Sequence, residues 1–333
     1  MSFGPWVFFL ERINMGEKIF KTYDEQLDIL SNRGLVFADK NARKKAKNII
    51  QREGYYKLIN GYKSPFLKHD TDAETFLDGC TIDEIFALYS FDRELREIFM
   101  RHILHVETNI KSLIAYTISE KYGHENYLLY KNFNTSKKGA NKEISSIISD
   151  LQGAISKNHS DPCINHYLQN YGYVPMWVLN NVLTLGNISR LYSIMKTEDR
   201  QNISKIFKIL DTSMESFLHT LSIIRNFCAH GNRLYCIRTK RPLIDTDIHI
   251  NLKISKNEAN EFVFGKRDLF SAVIALRYFL SGREFVRFQD ELNGALNKLE
   301  RKLNVIDKNS ILSLMGFPEN WKDIKIKGIK NNK

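Results

Sequence analysis

The chain has 333 residues, 43% hydrophobic and 26% charged, the proportions of an ordinary globular protein. Its 6 Pro and 17 Gly are too few for a turn-rich β fold, and no run is long and apolar enough for a secretory or membrane segment. A helical, cytoplasmic protein of one large or two interlocked domains is expected, with no membrane partner, and the formal net charge of +11 favours a polyanionic partner such as nucleic acid.

In chain order, residues 1–14 with the apolar "PWVFFL" are expected to be an extension ahead of Met15. "KTYDEQLDILSNRG" carries a capping box, Thr22 with Glu25, and stops at Gly34, which predicts a short first helix. "DKNARKKAKNIIQREG" sets Ile49 and Ile50 opposite a basic face of Arg43, Lys44, Lys45 and Lys47. That face reads equally as a solvated surface or as an RNA contact, with Tyr55, Tyr56 and Tyr62 nearby as candidate stacking residues. From Thr81, capped by Glu84, an apolar pattern at steps of three and four runs to Gly123 and predicts two helices or one bent helix. A polar link over Lys131–Asn141 is expected to be a flexible loop. Further helices are predicted at Asn141–Lys157, Pro162–Asn170, Met176–Met195, Arg200–Leu210 and Ser213–Ala229. "YCIRTKRPLIDTDIHINLKI" changes to β-branched alternation and predicts a small β-hairpin or extended arm at 235–254. Helices resume at "RDLFSAVIALRYFLSGREFVRFQDELNGALNKLERKL", and the basic tail "KDIKIKGIKNNK" is expected to fray. The division expected is a leader at 1–14, an N-terminal helical segment at 15–78, and a helical domain at 79–333 bearing the basic arm.

The sequence has no phosphate-binding glycine loop, no dinucleotide fingerprint, no H-E-x-x-H and no G-x-S-x-G. Its four cysteines, Cys80, Cys163, Cys228 and Cys236, form no C-x-x-C pair, so neither a zinc site nor any other cofactor is expected. What remains is "SIIRNFCAHGNRLY", with Arg225, Asn226 and His230. Spacing alone decides little, because Arg96 and His102 stand at a similar distance. The surroundings separate the two pairs. Leu218, Leu221, Ile224 and Cys228 place Arg225 on the last turn of a helix that Gly231 can end. On an unbroken helix Arg225 and His230 would point about 140° apart. The break at Gly231 lets His230 turn back, whereas Arg96 and His102 lie mid-helix and read as structural.

"RNFCAHGNRLY" closely resembles the RN-x-x-x-H signature of the Abi-like abortive infection family, the AbiD and AbiF group. "YDEQLDILSNRGL" looks like that family's opening segment and "REGYYKLINGY" like its "GYYRLSGY" box. "FDRELREIFMRHILHVE" is similar to its long helix with an acidic residue, here Glu107. "PMWVLNNVLTLGNISRLY" resembles its P-x-W segment, with Asn180 or Asn181 where an acidic residue is common. The family is similar to the HEPN superfamily of helical bundles. The resemblance therefore implies an all-α, HEPN-like bundle and metal-independent cleavage of RNA in antiphage defence. It also implies a catalytic set of Arg225, Asn226, His230 and Glu107.

An imidazole can take the 2′-OH proton or protonate the leaving 5′-oxygen, and a guanidinium can hold the phosphate. One His cannot do both at once, so a homodimer is expected. Arg43, Lys44, Lys45 and Lys47, together with Arg233, Arg238, Lys240 and Arg241, are the candidate RNA-binding cations. Two other readings remain: a non-catalytic RNA-binding protein on the same frame, and a toxin held by a protein antitoxin.

Overall fold

The computed structural model describes residues 19–68, 74–136 and 138–325. The leader at 1–14 and residues 326–333 of the basic tail lie outside them, while the start of that tail is held, Lys322 O and Lys325 O accepting from Gln289 and Asn251. The chain divides into two compact units, 1–85 and 86–333.

In the first unit, α1 (Tyr23–Asn32) starts at the Thr22–Glu25 capping box, and α2 (Lys40–Glu53) starts where the Asp39 carboxylate accepts the Ala42 N–H at 2.7 Å. The two helices pack together. Leu27 and Leu30 meet Ala46, Ile49 and Ile50 in a core that also takes Tyr62 and Phe66. Tyr62 is thereby packing material, while Tyr56 stands exposed on the π turn Tyr56–Asn60.

One unbroken helix of 41 residues, α3 (Ile82–Tyr122), fills this stretch, so of the two alternatives the pair of separate helices falls away. Nothing in it breaks the apolar repeat: Leu88, Leu95, Phe99, Ile103, Val106, Ile110 and Ile114 are all buried. Gly123, at φ +81°, ends it. In the second unit there follow α4 (Ala140–Lys157), α5 (Pro162–Tyr171), α6 (Met176–Leu179), α7 (Leu185–Ile194), α8 (Thr197–Ile206) and α9 (Asp211–Ala229). Next come α10 (Asp247–Asn251), α11 (Phe270–Phe279), α12 (Gly282–Glu300) and α13 (Lys308–Met315). The predicted all-α class holds, and β structure among the described residues is confined to isolated bridges.

Helix α9 is the centre of the second unit and packs against α7, α8 and α11. Its Leu218, Leu221 and Ile224 are fully buried, as the stripe predicts. Helix α11 is apolar all round and nearly every residue in it is buried. Helix α12 runs antiparallel to α3: Glu94 pairs with Lys298, His102 with Glu291 and His105 with Glu284. His102 and Phe99 also meet the ring of Phe288 edge-on. His102 is thus structural.

Three further expectations need correction. The span Met176–Met195 is two helices, because Thr184 and Asn187 form a capping box that starts α7 afresh. The polar link after Tyr130 is anchored at its start: buried Asn132 donates to the carbonyls of Asn126 and Tyr127, and Asn134 N–H donates to Ile194 O at 2.9 Å. No hairpin forms at 235–254. Thr239 N–H donates to Arg267 O, Leu243 N–H to Lys266 O and Ile244 N–H to Ser216 Oγ, and Thr246 then caps α10. The apolar alternation serves burial of Ile237, Leu243 and Ile248, and among the described residues no strand pairs with this segment.

Candidate functional site

The end of α9 is shaped by one glycine. His230 is the C-cap residue, at φ −90° and ψ 3°, and Gly231 takes the left-handed conformation at φ +66°. Asn232 N–H then reaches back to Phe227 O at 3.0 Å and Gly231 N–H to Cys228 O at 3.3 Å. This is the Schellman pattern, which satisfies carbonyls the stopped helix would otherwise leave open. It leaves His230 and Asn226 exposed at the helix end, and the Asn226 carbonyl accepts the His230 N–H at 3.0 Å.

Arg225 sits one turn back, with about a quarter of its side chain exposed. Its Nε lies 3.5 Å from Glu107 Oε2, an ion pair by distance in which neither atom makes a directed hydrogen bond. The other oxygen of Glu107 meets Lys111 Nζ at 2.8 Å. One buried carboxylate thus lies between two cations, and removing it would strand both. Glu107 is almost inaccessible, which suits holding the Arg225 guanidinium in place better than exchanging protons with a ligand.

Asp92, which the sequence reading missed, and Arg96 position the segment after the motif. Asp92 on α3 is completely buried, and its Oδ1 accepts the N–H groups of Leu234 at 3.0 Å and Tyr235 at 2.7 Å. Its Oδ2 is paired with Arg96, whose Nη1 also donates to Asn232 O at 3.2 Å. Arg96 is therefore structural, as its mid-helix position suggests, and its role is to brace the chain just past His230. The available signal was an acid and a base four residues apart on a face otherwise occupied by Leu88, Leu95 and Phe99.

Burial pushes the Cys228 thiol, two residues before His230, up to about 12. That keeps the thiol protonated and weakly nucleophilic, because the thiolate is the reactive species.

The candidate RNA-binding cations fall into two sets. In the first unit Arg43 is paired with Asp28 at 2.6 Å, Lys45 with Asp83 at 2.7 Å and Lys47 with Asp24 at 2.6 Å, while Lys44 is exposed. That face carries its own counter-ions, so its pull on phosphates is weaker than the sequence suggests. In the second unit Arg233, Arg238, Lys240 and Arg241 are all exposed. Ile237 and Thr239 are buried between them, so Arg238 and Lys240 do project to one side, although the segment is no β-strand. Arg238 donates to Leu314 O at 3.1 Å, and Arg241 lies 3.6 Å from Glu215.

Beside the Arg225–Glu107–Lys111 group a cavity of about 870 Å³ opens between α3 and α6. Lys111, Tyr116, Ser119, Glu120, Trp177 and Asn180 are among its lining residues. Among the described residues no group of three His, Cys, Asp or Glu is placed to hold a metal ion, and no helix is long and apolar enough to cross a membrane.

Comparison with known proteins adds one match. The family model of Abi-like proteins covers residues 48–236, more than half of the chain. It takes in the "REGYYKLINGY" box, the whole of α3 with Glu107, the P-x-W segment and the whole RN-x-x-x-H motif. No curated protein and no solved structure matches the chain. A match of this extent, ending just past the Schellman turn that presents His230, means that the chain belongs to the Abi-like family.

Proposed function

We propose that this protein is a metal-independent endoribonuclease of the HEPN type, acting as a homodimer in abortive-infection defence. The observation that carries the reading is the end of α9: a guanidinium 3.5 Å from a buried carboxylate, one turn from an imidazole exposed beside the Gly231 turn. Family membership supports the defence role.

RNA supplies its own nucleophile. A base takes the 2′-OH proton, the 2′-oxygen bonds to phosphorus, and the bond from phosphorus to the 5′-oxygen breaks. An acid then protonates the departing 5′-oxygen. The products are a 2′,3′-cyclic phosphate and a 5′-hydroxyl. His230 serves as base or acid, and His230 of a second copy supplies the other proton transfer. Arg225 holds the phosphate and offsets the charge that builds on it, with Asn226 as a further donor. Glu107 acts through Arg225 as a positioning residue.

The test is cleavage of single-stranded RNA in excess chelator, with end-group analysis. Arg225→Ala and His230→Ala should each lower the rate by about 10²–10⁴-fold while the fold is kept. Strict dependence on magnesium, 3′-hydroxyl ends, or full activity in His230→Ala refutes the mechanism. The alternative of a non-catalytic RNA-binding protein draws on the exposed Arg238 and Lys240, and it requires binding with no cleavage by the wild type.

A further inference from the structure

The cavity between α3 and α6 has no part in the chemistry above. Its size, about 870 Å³, falls within the range of small-molecule sites. Two aromatic side chains on its wall remain open to solvent, Tyr116 at 65% and Trp177 at 48% exposure, a costly arrangement for rings that have no partner to meet. Two buried polar atoms on the same wall, Asn180 Oδ1 and Ser119 Oγ, have no hydrogen-bond partner. The amide of Asn180 cannot be turned to relieve this. Its Nδ2 donates to the Lys111 carbonyl, so Oδ1 must face the other way. A 5%-exposed acceptor with no donor is an opening for a ligand that brings one.

The two ends of the cavity differ in charge. Lys111, held by Glu107, stands at one end. Glu120, which accepts the Tyr116 hydroxyl at 2.8 Å, stands nine residues further along α3, roughly 13 Å away along the axis. A ligand with an anionic end, a flat aromatic body and hydrogen-bond donors fits this order. A nucleotide has all three. The anion cannot sit at the Glu120 end, so it lies towards Lys111, which adjoins Glu107 and through it Arg225.

We propose that this cavity is a base-stacking subsite, which takes an unpaired nucleobase of the RNA strand between Tyr116 and Trp177 and sets the strand relative to Arg225. The proposal rests on the ribonuclease reading and names its substrate: a strand with an unstacked base near the scissile phosphate. Asn180 Oδ1 accepts from the nucleotide, Lys111 faces its phosphate, and Trp177 and Tyr116 bind by π-face without choosing a sequence.

The test uses short fluorescent single-stranded oligonucleotides made of 2′-O-methyl RNA, which has no free 2′-OH to attack, with one abasic residue moved through the strand. Wild type should lose about tenfold in affinity when the stacked base is removed. Trp177→Ala and Tyr116→Ala should each lose about tenfold on the intact strand, and Trp177→Ala should be indifferent to the abasic residue. Trp177→Phe, which keeps a ring, should stay within about threefold of wild type. Cleavage of unmodified RNA is followed in parallel. If RNA is cut normally but Trp177→Ala binds and cuts like wild type, the subsite is refuted and the ribonuclease reading stands. If the strand is bound with the expected dependence on Trp177 but never cut, the ribonuclease reading fails and the subsite stands. A wild type that binds no oligonucleotide overturns the proposal. So does a Trp177→Ala variant that changes only the oligomeric state, because the cavity would then be a contact between copies.

Discussion

Replacing Asp92 with Asn keeps its shape and removes its charge. In the native chain that charge sits at zero exposure, paired with an Arg96 side chain only 9% exposed, and accepts two backbone N–H groups from the segment that follows the motif. The amide that replaces it would still offer one oxygen, but to neutral hydrogen bonds about half as strong as those a carboxylate makes. Arg96 would lose its buried counter-ion, a change that costs about 3–5 kcal/mol in comparable pairs. Arg96→Gln should cost less, because Asp92 keeps its two backbone donors at 3.0 and 2.7 Å. The double variant should be more stable than the sum of the single losses by about 2 kcal/mol, the coupling typical of groups in direct contact. Urea denaturation of the three variants measures this, read as midpoints at unchanged slope. Hydrogen exchange at Leu234 and Tyr235 should rise first in Asp92→Asn. Strict additivity, or an Asp92→Asn variant within about 1 kcal/mol of wild type, would show that the clamp does not hold the segment.

The arm offers a second test: replacing Arg238, Lys240 and Arg241 with Ala should flatten the salt dependence of RNA binding by up to about 2 on a log–log plot, at roughly 0.7 per lost phosphate contact. An unchanged slope would mark the arm as a solvated loop. A third concerns His249, which bonds Gly265 O and Thr246 inside the second unit, with Asp245 and Lys266 nearby; burial, aided by Lys266, pushes its imidazole down to about 4. Its neutral form is favoured by folding, so its contribution is full above pH 6.5 and is lost as pH falls through 4. The cost of His249→Gln, measured by denaturation, should therefore shrink by up to about 3 kcal/mol between pH 7 and pH 4, and a cost that does not vary with pH would contradict the assignment.

Much of this was legible in the sequence where the signal was local. The caps at Thr22 and Thr81, the stripe on α9 and the stop at Gly231 are set by residues within one or two turns of each other. The same kind of signal at Thr184–Asn187 breaks the helix after α6, and Asp307 starts α13; both are readable, but the apolar pattern that runs across them masks them. What could not be read was partnership at long range. The basic face of α2 looked free because the carboxylates that neutralise Lys47, Arg43 and Lys45 lie at Asp24, Asp28 and Asp83. The alternation at 235–254 looked like β structure because the sequence cannot say whether an alternating segment meets a strand or a wall of helices. Glu107 was found through the family resemblance, whereas its pairing with Lys111 and Arg225 needed coordinates.

The single rod of α3 carries a constraint that no substitution would reveal. It grips the end of α9 twice, by Asp92 at the segment beyond His230 and by Glu107 at Arg225, and these two holds lie 15 residues apart on the same helix. One residue inserted between them would swing Glu107 by about 100° around the axis and advance it about 1.5 Å, so that one hold or the other must let go. Four inserted residues would nearly restore the direction, about 40° off, but displace it by about 6 Å, more than an ion pair can span. Side chains along this stretch can be exchanged; its length cannot, and the helix acts as a gauge that fixes the distance between the two ends of the motif.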